Sequence, residues 1–154
     1  MTRFVVDASV AMKWFIPEVH SDSAIRLQQS DHELHVPTFF VVEIGNILWK
    51  KLQRGELTRT DAGTILQSLL SIPLQRHPDT DLILDAFSLA EQTSRTVYDC
   101  VYLALAIRIG GKFVTADERF WNALRQTSVG EHLCWIEDVP AADQSGPPSE
   151  SPSA

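Results

Sequence analysis

The chain has 154 residues, of which 44% are hydrophobic and 21% charged, as expected for one globular domain with a sizeable core. Its net charge of −7 argues against broad, non-specific binding of nucleic acids, which needs a basic face, but leaves a nuclease open. No apolar run approaches the roughly 20 residues of a membrane span, and two cysteines without a secretory signal favour a cytoplasmic protein over a disulfide-stabilised one.

Apolar strand signals and periodic helix signals alternate through the first half of the chain. Pro37 is taken as the start of a long helix that ends before Gly55. Thr58, with Asp61 three residues later, marks the start of the next helix. The predicted elements here are strands at Arg3–Val6 and Glu33–Val36 and helices at Ser9–Phe15, Ser21–Ser30, 37–54 and 58–71.

The second half continues this alternation and then changes composition. Gly110 and Gly111 close a predicted helix that begins at Tyr98. After Pro140 the chain is rich in Pro, Ser, Ala and Gly, and it cannot bury enough apolar area to become ordered. The predicted elements are strands at Pro73–His77, Lys112–Thr115 and Leu133–Ile136 and helices at Asp79–Ser94, Tyr98–Ile109 and Asp117–Arg125.

Strands that alternate with helices predict βαβ units. We therefore expect an α/β protein, a three-layer α/β/α sandwich with a mainly parallel central sheet. Its folded domain is predicted to span residues 1–138, and residues 139–154 are predicted to form a disordered tail.

Four acidic residues lie far apart in the sequence, each beside an apolar run or near a predicted helix start: Asp7, Glu43, Asp99 and Asp117. Asp7 and Asp117 follow predicted strands, and sites in open parallel sheets lie at the carboxyl ends of the strands. Carboxylates gathered there repel one another and resist full ionisation unless a divalent cation neutralises them. A metal-dependent hydrolytic site is therefore the leading hypothesis.

Each acid also has a purely structural interpretation. Asp7 and Asp117 are natural helix N-caps. Asp99 is favourably placed near the positive end of a helix dipole, and Glu43 could be a solvated helix residue. The five histidines share no ligand-like spacing, and we expect them to be structural or surface residues. The joint spacing of the acids, rather than any one of them, supports a site.

The predicted long helix carries a polar stripe. Helix spacing places Asn46 and Lys50 on the same side as Glu43. Lys50 also belongs to a short basic stretch with Lys51 and Arg54. The simplest interpretation of that stretch is a solvated helix surface.

Four motifs follow one another along the chain: Phe4-Val5-Val6-Asp7-Ala8-Ser9, Glu43-Ile44-Gly45-Asn46, Tyr98-Asp99 before an apolar helix, and Thr115-Ala116-Asp117-Glu118-Arg119-Phe120. In this order and at this spacing they resemble the PIN-domain pattern. The resemblance is greatest to the VapC-type toxins of bacterial and archaeal toxin–antitoxin pairs, and it covers residues 1 to about 137.

The resemblance implies that the four acids hold Mg²⁺ or Mn²⁺ and that metal-activated water cleaves RNA phosphodiester bonds. It implies supporting roles for Ser9 beside the first aspartate and for Asn46 one turn after the glutamate. Thr115 is expected to donate a hydrogen bond near the metal ligands. Glu118 lies next to Asp117 and competes with it for the fourth ligand position.

The resemblance also implies partners. A cognate antitoxin would cover the acidic pocket with a basic side chain, RNA would be the substrate, and the chain would form a homodimer without contacting a membrane. The apolar surface around Ile65, Leu69 and Leu70 could serve the dimer or pack into the core.

Two other functions stay open. Receiver domains and haloacid-dehalogenase-like phosphatases, which are α/β phosphate-handling proteins, also use an aspartate after a first strand. A receiver has neighbouring acids and a later lysine, and the dehalogenase-like class has a second aspartate where Ser9 stands. The non-enzymatic alternative is a catalytically inactive PIN-like module whose acids bind basic segments of a partner.

Overall fold

A computed structural model of the chain describes residues 2–29 and 31–141. Five strands form one sheet, in which every pairing is parallel and the strand order is β3-β2-β1-β4-β5. The strands are β1 (Arg3–Val6), β2 (Glu33–Pro37), β3 (Gln75–His77), β4 (Lys112–Thr115) and β5 (Leu133–Trp135). The helices are α1 (Ala8–Met12), α2 (Ser21–Gln29), α3 (Phe40–Gln53), α4 (Arg59–Ser71), α5 (Ile83–Thr93), α6 (Val97–Ile109) and α7 (Glu118–Leu124). The predicted three-layer α/β/α architecture is confirmed.

The centre of the sheet is formed by its most apolar strands. Phe4, Val5 and Val6 of β1 are fully buried, and β1 pairs with β2 on one side and with β4 on the other. A continuous apolar strand is typical of a sheet that helices cover on both faces. The chain direction therefore brings the ends of β1 and β4 together at one edge.

Helix α6 is the central helix of the core because it is apolar on every side. Its residues 100–106 are all buried, and it packs against β1, β2, β4 and α5. Gly110 ends the helix with a φ of 65°, and a Cβ on Gly111 would collide with the Arg3 carbonyl oxygen. This tight turn reverses the chain into β4, so α6 begins at the carboxyl edge of the sheet.

The start of α3 differs from the prediction. Pro37 is the last residue of β2 and pairs with His77 of β3, and α3 begins only at Phe40. Thr38 and Asp79 explain the delay, because the Thr38 hydroxyl accepts from the Asp79 N–H and the Asp79 carboxylate accepts from the Phe39 N–H. These contacts join segments about 40 residues apart and leave no local signal.

The helix predicted over Asp79–Ser94 is also divided. A 3₁₀ turn covers Asp79–Asp81, Leu82 is fully buried, and α5 follows. Of the residues considered for a dimer surface, Leu69 is buried, Ile65 packs partly against the core, and Leu70 is exposed. Core packing therefore accounts for two of the three.

The predicted tail begins close to where the core ends. Val139 is buried among core residues, one position beyond the predicted domain end. The rest of the predicted tail, from residue 142, lies outside the described residues. No helix within the described ranges is both long and apolar enough to cross a bilayer.

Candidate active site

The four predicted acids line one pocket at the carboxyl edge of the sheet. Val6 pairs with Val114, so Asp7 after β1 and Asp117 after β4 leave the sheet side by side. Glu43 lies in the first turn of α3 and Asp99 in the first turn of α6. The pocket has a volume of about 430 Å³, and its lining also includes Ser9, Lys13, Tyr98 and Tyr102.

Two of the acids are helix caps as well as pocket residues. Asp7 Oδ1 accepts from the Val10 N–H at 2.8 Å. Asp117 Oδ1 accepts from the Arg119 and Phe120 N–H groups at 2.9 and 3.2 Å. Capping holds each carboxylate in one orientation and, among the described residues, leaves Oδ2 without a hydrogen bond. The structural and functional interpretations of these aspartates are therefore compatible.

The pocket is electrostatically unfavourable for its own acids. Burial raises the pKa of the Asp7 carboxyl to about 7, and the charges of Glu43 and Asp99 contribute to the rise. The Val10 N–H and the Lys13 ammonium oppose it. A carboxyl group with a pKa near neutrality is one whose charge lacks a full complement of partners.

Glu43 and Asp99 share this condition. Burial raises the pKa of Glu43, with the charge of Asp99 adding to it and the Tyr102 hydrogen bond opposing it. Burial likewise raises the pKa of Asp99, and the charge of Asp117 adds to it. The Coulomb interactions thus link all four acids into one group.

Tyr102 and Lys13 belong to the pocket but were not among the predicted site residues. The buried Tyr102 hydroxyl donates to Glu43 Oε1 at 3.1 Å, and burial beside Glu43 and Asp7 raises the pKa of the phenol, which stays protonated. Lys13 is only 8% exposed, and its Nζ lies 3.1 Å from Glu18 Oε2. A lysine directly after an apolar helix is a signal that could have found Lys13, because buried lysines need a partner.

The supporting residues are only partly brought together. Ser9 lines the pocket. Asn46 is exposed, and Ile47 rather than Asn46 lines the pocket one turn after Glu43. Thr115 is buried and accepts a hydrogen bond from the Asp117 N–H at 3.1 Å, whereas a donor role was expected.

Asp117 and its neighbour Glu118 lie in different surroundings. Asp117 lines the pocket, and Glu118 is an exposed residue of the first turn of α7 that does not. Glu118 therefore lies outside the group of interacting acids.

The donor set suits a hard cation that keeps part of its water. All four acids offer oxygen, the donor that Mg²⁺ and Mn²⁺ prefer. Across residues 2–29 and 31–141, however, no three His, Cys, Asp or Glu side chains lie close enough to bind one ion directly. Mg²⁺ is usually held by one or two carboxylates with several waters retained, so a pocket of spaced carboxylates fits it.

A cavity of similar size lies elsewhere. It has a volume of about 440 Å³, and Asp85, Leu89, Ile107 and Arg108 of α5 and α6 are among its lining residues. It contains one carboxylate and no group of interacting acids, so the acidic pocket is the better candidate for chemistry.

Comparison with known proteins connects this pocket to a family. The family model of the PIN domain matches residues 4–123, a range that includes all four acids. The chain is 38% identical over 119 residues to ribonuclease VapC3 of Pyrobaculum aerophilum, which covers 76% of this chain and 91% of that protein.

Solved structures agree with the fold. The crystal structure of PAE2754 from Pyrobaculum aerophilum is 26% identical, covers 79% of each chain and superposes with a TM-score of 0.59. A toxin–antitoxin complex from Klebsiella pneumoniae, 13% identical, covers 86% of this chain and 96% of that one with a TM-score of 0.57. At that identity the second likeness concerns the fold alone.

Proposed function

Because the chain belongs to the PIN-domain family and is similar to the VapC ribonucleases, we propose that it is a metal-dependent endoribonuclease that uses Mg²⁺ or Mn²⁺. The observation that carries the proposal is the convergence of Asp7, Glu43, Asp99 and Asp117 on one pocket. The raised pKa values of the first three support it, because a divalent cation would offset both the burial and the mutual repulsion that raise them.

The proposed mechanism assigns tasks to five residues of the pocket. Asp7 and Asp117 use Oδ1 for capping, so their carboxylates would have Oδ2 available to hold the cation. Tyr102 holds Glu43 in place through its hydrogen bond. Lys13 adds a fixed positive charge beside Asp7, which favours the approach of a phosphodiester. A divalent cation held by these carboxylates would supply stabilisation of charge on the phosphate and activation of water. In the hydrolysis, the oxygen of water would bond to phosphorus, the P–O bond to the leaving ribose oxygen would break, and that oxygen would take up a proton.

The biological part of the proposal is a toxin that a cognate antitoxin inhibits in the cytoplasm. The curated relative is named a ribonuclease of the VapC type. An antitoxin that placed a basic side chain in the pocket would meet four acids, and charge complementarity would favour that contact. Both cysteines are free and buried, which suits a reducing compartment.

A homodimer is part of the same proposal. Leu84 and Phe87 of α5 are 82% and 59% exposed and offer apolar area for such contacts. Light scattering of the purified chain would test it, and a monomer at every concentration would remove this element while leaving the enzymatic proposal intact.

The test of the enzymatic proposal is sequencing of RNA ends after induced expression of the wild type and of Asp7→Asn. Asparagine keeps an oxygen that caps the Val10 N–H but removes the charge, so the fold should persist. We expect new, discrete RNA ends for the wild type and a loss of roughly 10³-fold in their yield for the variant. Asp61→Asn, an exposed change on α4, is the matched control and should cleave like the wild type.

Purified protein completes the test. Cleavage should stop when a chelator removes divalent cations and resume when Mg²⁺ or Mn²⁺ is added back. Equal cleavage by Asp7→Asn and the wild type would contradict the assignment. Binding of partner peptides or RNA without any cleavage would instead favour the inactive PIN-like binding module.

A further inference from the structure

A basic groove lies next to the acidic pocket. It has a volume of about 350 Å³, and Lys50, Lys51 and Arg54 from the end of α3 line it. The chain has 13 lysines and arginines against 20 aspartates and glutamates, so three cations in one groove depart from its overall charge. This cavity, whose lining also includes Glu18, is the basic groove.

The basic groove and the acidic pocket adjoin each other. Ser9 and Ile47 line both cavities. Glu18 links them electrostatically, because its Oε2 lies 3.1 Å from Lys13 Nζ in the pocket and its Oε1 lies 3.7 Å from Lys51 Nζ in the groove. A polyanion bound at the pocket could therefore extend directly into the groove.

Lys50 and Arg54 are the groove cations available to such a ligand. Both are exposed, and among the described residues neither side chain has an ion-pair or hydrogen-bond partner, whereas Lys51 is near Glu18 and Glu56. Lys50 lies in the last turn of α3 and Arg54 is the C-cap four residues later, so they lie on one face, one turn from each other. Two unpaired cations at that spacing suit consecutive phosphates of an extended strand.

A purely structural explanation of these residues also exists. Cations in the last turn of a helix interact favourably with the helix dipole. That explanation predicts an effect of their removal on stability but none on the salt dependence of RNA binding. The two explanations can therefore be separated by measurement.

We propose that the basic groove binds the backbone phosphates of single-stranded RNA on one side of the scissile bond. This inference rests on the proposed ribonuclease function and adds the path of the substrate across the surface. Contacts to phosphates carry no base information, so the groove sets the position of the strand rather than the sequence that is cut.

The test compares three proteins that all carry Asp7→Asn, so that bound RNA is not cut: the parent, Lys50→Gln/Arg54→Gln and the control Arg125→Gln. Arg125 is an exposed cation at the end of α7 and lines neither cavity. Binding of a labelled, unstructured RNA is followed by fluorescence anisotropy at several salt concentrations in the presence of Mg²⁺. Thermal unfolding of each protein is recorded alongside.

We expect the loss of each groove cation to weaken binding about fivefold at 0.1 M salt. Each phosphate contact on a single strand contributes roughly 0.7 to log K per tenfold decrease in salt, and 0.1 M is one decade below 1 M. The double change should lower the slope of log K against log salt by about 1.4. Arg125→Gln should keep the parent's affinity and slope. In the active protein, Lys50→Gln/Arg54→Gln should raise KM and leave kcat unchanged.

Two outcomes would overturn the inference: an unchanged slope in the double variant, or an equal loss of affinity in Arg125→Gln. Either would leave the ribonuclease proposal standing if the wild type cleaves RNA. Conversely, a wild type that cleaves no RNA would refute the ribonuclease proposal. If the slope of log K against log salt is still smaller in the double variant, the groove remains an RNA-binding surface.

Discussion

Two polar clusters lie beside the strands of the sheet, and they differ in how their charges are partnered. In the first, Glu33 Oε2 lies 3.0 Å from Arg3 Nε and 3.3 Å from His35 Nε2, and His35 Nδ1 lies 2.9 Å from His77 Nε2. In the second, the acidic pocket, four carboxylates meet one buried lysine. The first cluster is paired from end to end, and the second has an excess of one sign.

The pKa values of the carboxyls express this difference. The hydrogen bond from His35, together with Arg3, lowers the pKa of Glu33. Burial raises the pKa of Asp7 to about 7, and it raises the pKa of Glu43 and of Asp99. A cluster that stabilises its own charges needs no ligand, whereas one that destabilises them is suited to bind a cation. The predictions below test that contrast, beginning with the largest effect.

Removal of one charge should impair RNA cleavage in the acidic pocket but not in the paired cluster. We expect Asp99→Asn to lower kcat/KM for RNA cleavage by roughly 10³-fold, because the pocket would lose part of its hold on the cation. Glu33→Gln, the matched control in the paired cluster, should leave kcat/KM unchanged. Steady-state cleavage of a labelled RNA measures both, and circular dichroism checks the fold.

A variant at Asp99 that cleaves RNA normally would remove this residue from the proposed machinery. A large loss of activity in Glu33→Gln would show that the paired cluster also serves catalysis, and the comparison would fail.

The second prediction concerns stability against pH in the absence of divalent cations. The pKa of Asp7 is about 7 in the folded chain and 3.8 for an unperturbed aspartate, so the folded state binds more protons between these values. The contribution of the Asp7 carboxyl to stability is therefore fully present below pH 3.8 and is lost as pH rises to about 7. The expected loss in free energy of unfolding is roughly 2–4 kcal/mol.

Urea unfolding from pH 4 to pH 8 in a chelator measures this loss. Asp7→Asn should remove most of it, and Asp61→Asn, which is exposed on α4, should keep the wild-type dependence. Addition of Mg²⁺ at pH 8 should increase the free energy of unfolding of the wild type, and it should increase that of Asp7→Asn by a smaller amount. A wild-type stability that rises steadily through this range would contradict the unfavourable charge of the pocket.

The difference between the clusters also explains how much could be predicted. The strands β1 and β4 were visible because their apolar residues are consecutive, and the acids Asp7 and Asp117 were visible because they end those strands. Glu43 and Asp99 stood beside helix signals. These features are local, and the sequence predicts them through periodicity and capping alone.

The residues that complete the pocket are held by contacts that helix spacing does not predict. Tyr102 reaches Glu43 across 59 positions. Lys13 pairs with Glu18 through a segment that is not helical, so the helix spacing rule does not connect them. Asn46 was expected in the pocket because it lies three residues after Glu43, but the rotation of α3 brings Ile47 there instead. Rotation and long-range pairing depend on tertiary packing, which a single sequence does not reveal.

The third prediction sharpens the role of the hydrogen bond in the pocket. Tyr102→Phe removes the hydroxyl that donates to Glu43 Oε1 and leaves the ring packed. We expect the affinity for Mg²⁺ to fall about tenfold, because partners that orient metal ligands have effects of that size. Activity at saturating Mg²⁺ should fall much less.

Tyr98→Phe is the matched control for this change. Tyr98 lines the same pocket, is 71% exposed and, within the described residues, makes no side-chain hydrogen bond. Titration of the unfolding temperature with Mg²⁺ measures both variants. Equal affinities of Tyr102→Phe and Tyr98→Phe would show that the hydrogen bond serves packing rather than cation binding.

The smallest effect is expected in the paired cluster, and its sign is opposite to that of Asp7. Burial lowers the pKa of His77, and the charge of His35 adds to this. Between the lowered value and 6.5 the unfolded chain binds more protons, so this contribution to stability is lost as pH falls.

In the Asp7→Asn background, His77→Gln should reduce the loss of stability from pH 7 to pH 5, as urea unfolding would show. Arg76→Gln, the neighbouring change on β3, should leave that loss of stability unchanged, because it removes a charge but no group that titrates between pH 5 and pH 7. If His77→Gln loses as much stability from pH 7 to pH 5 as its parent, His77 has the same pKa in the folded and unfolded states. Protonation of His77 would then not destabilise the paired cluster.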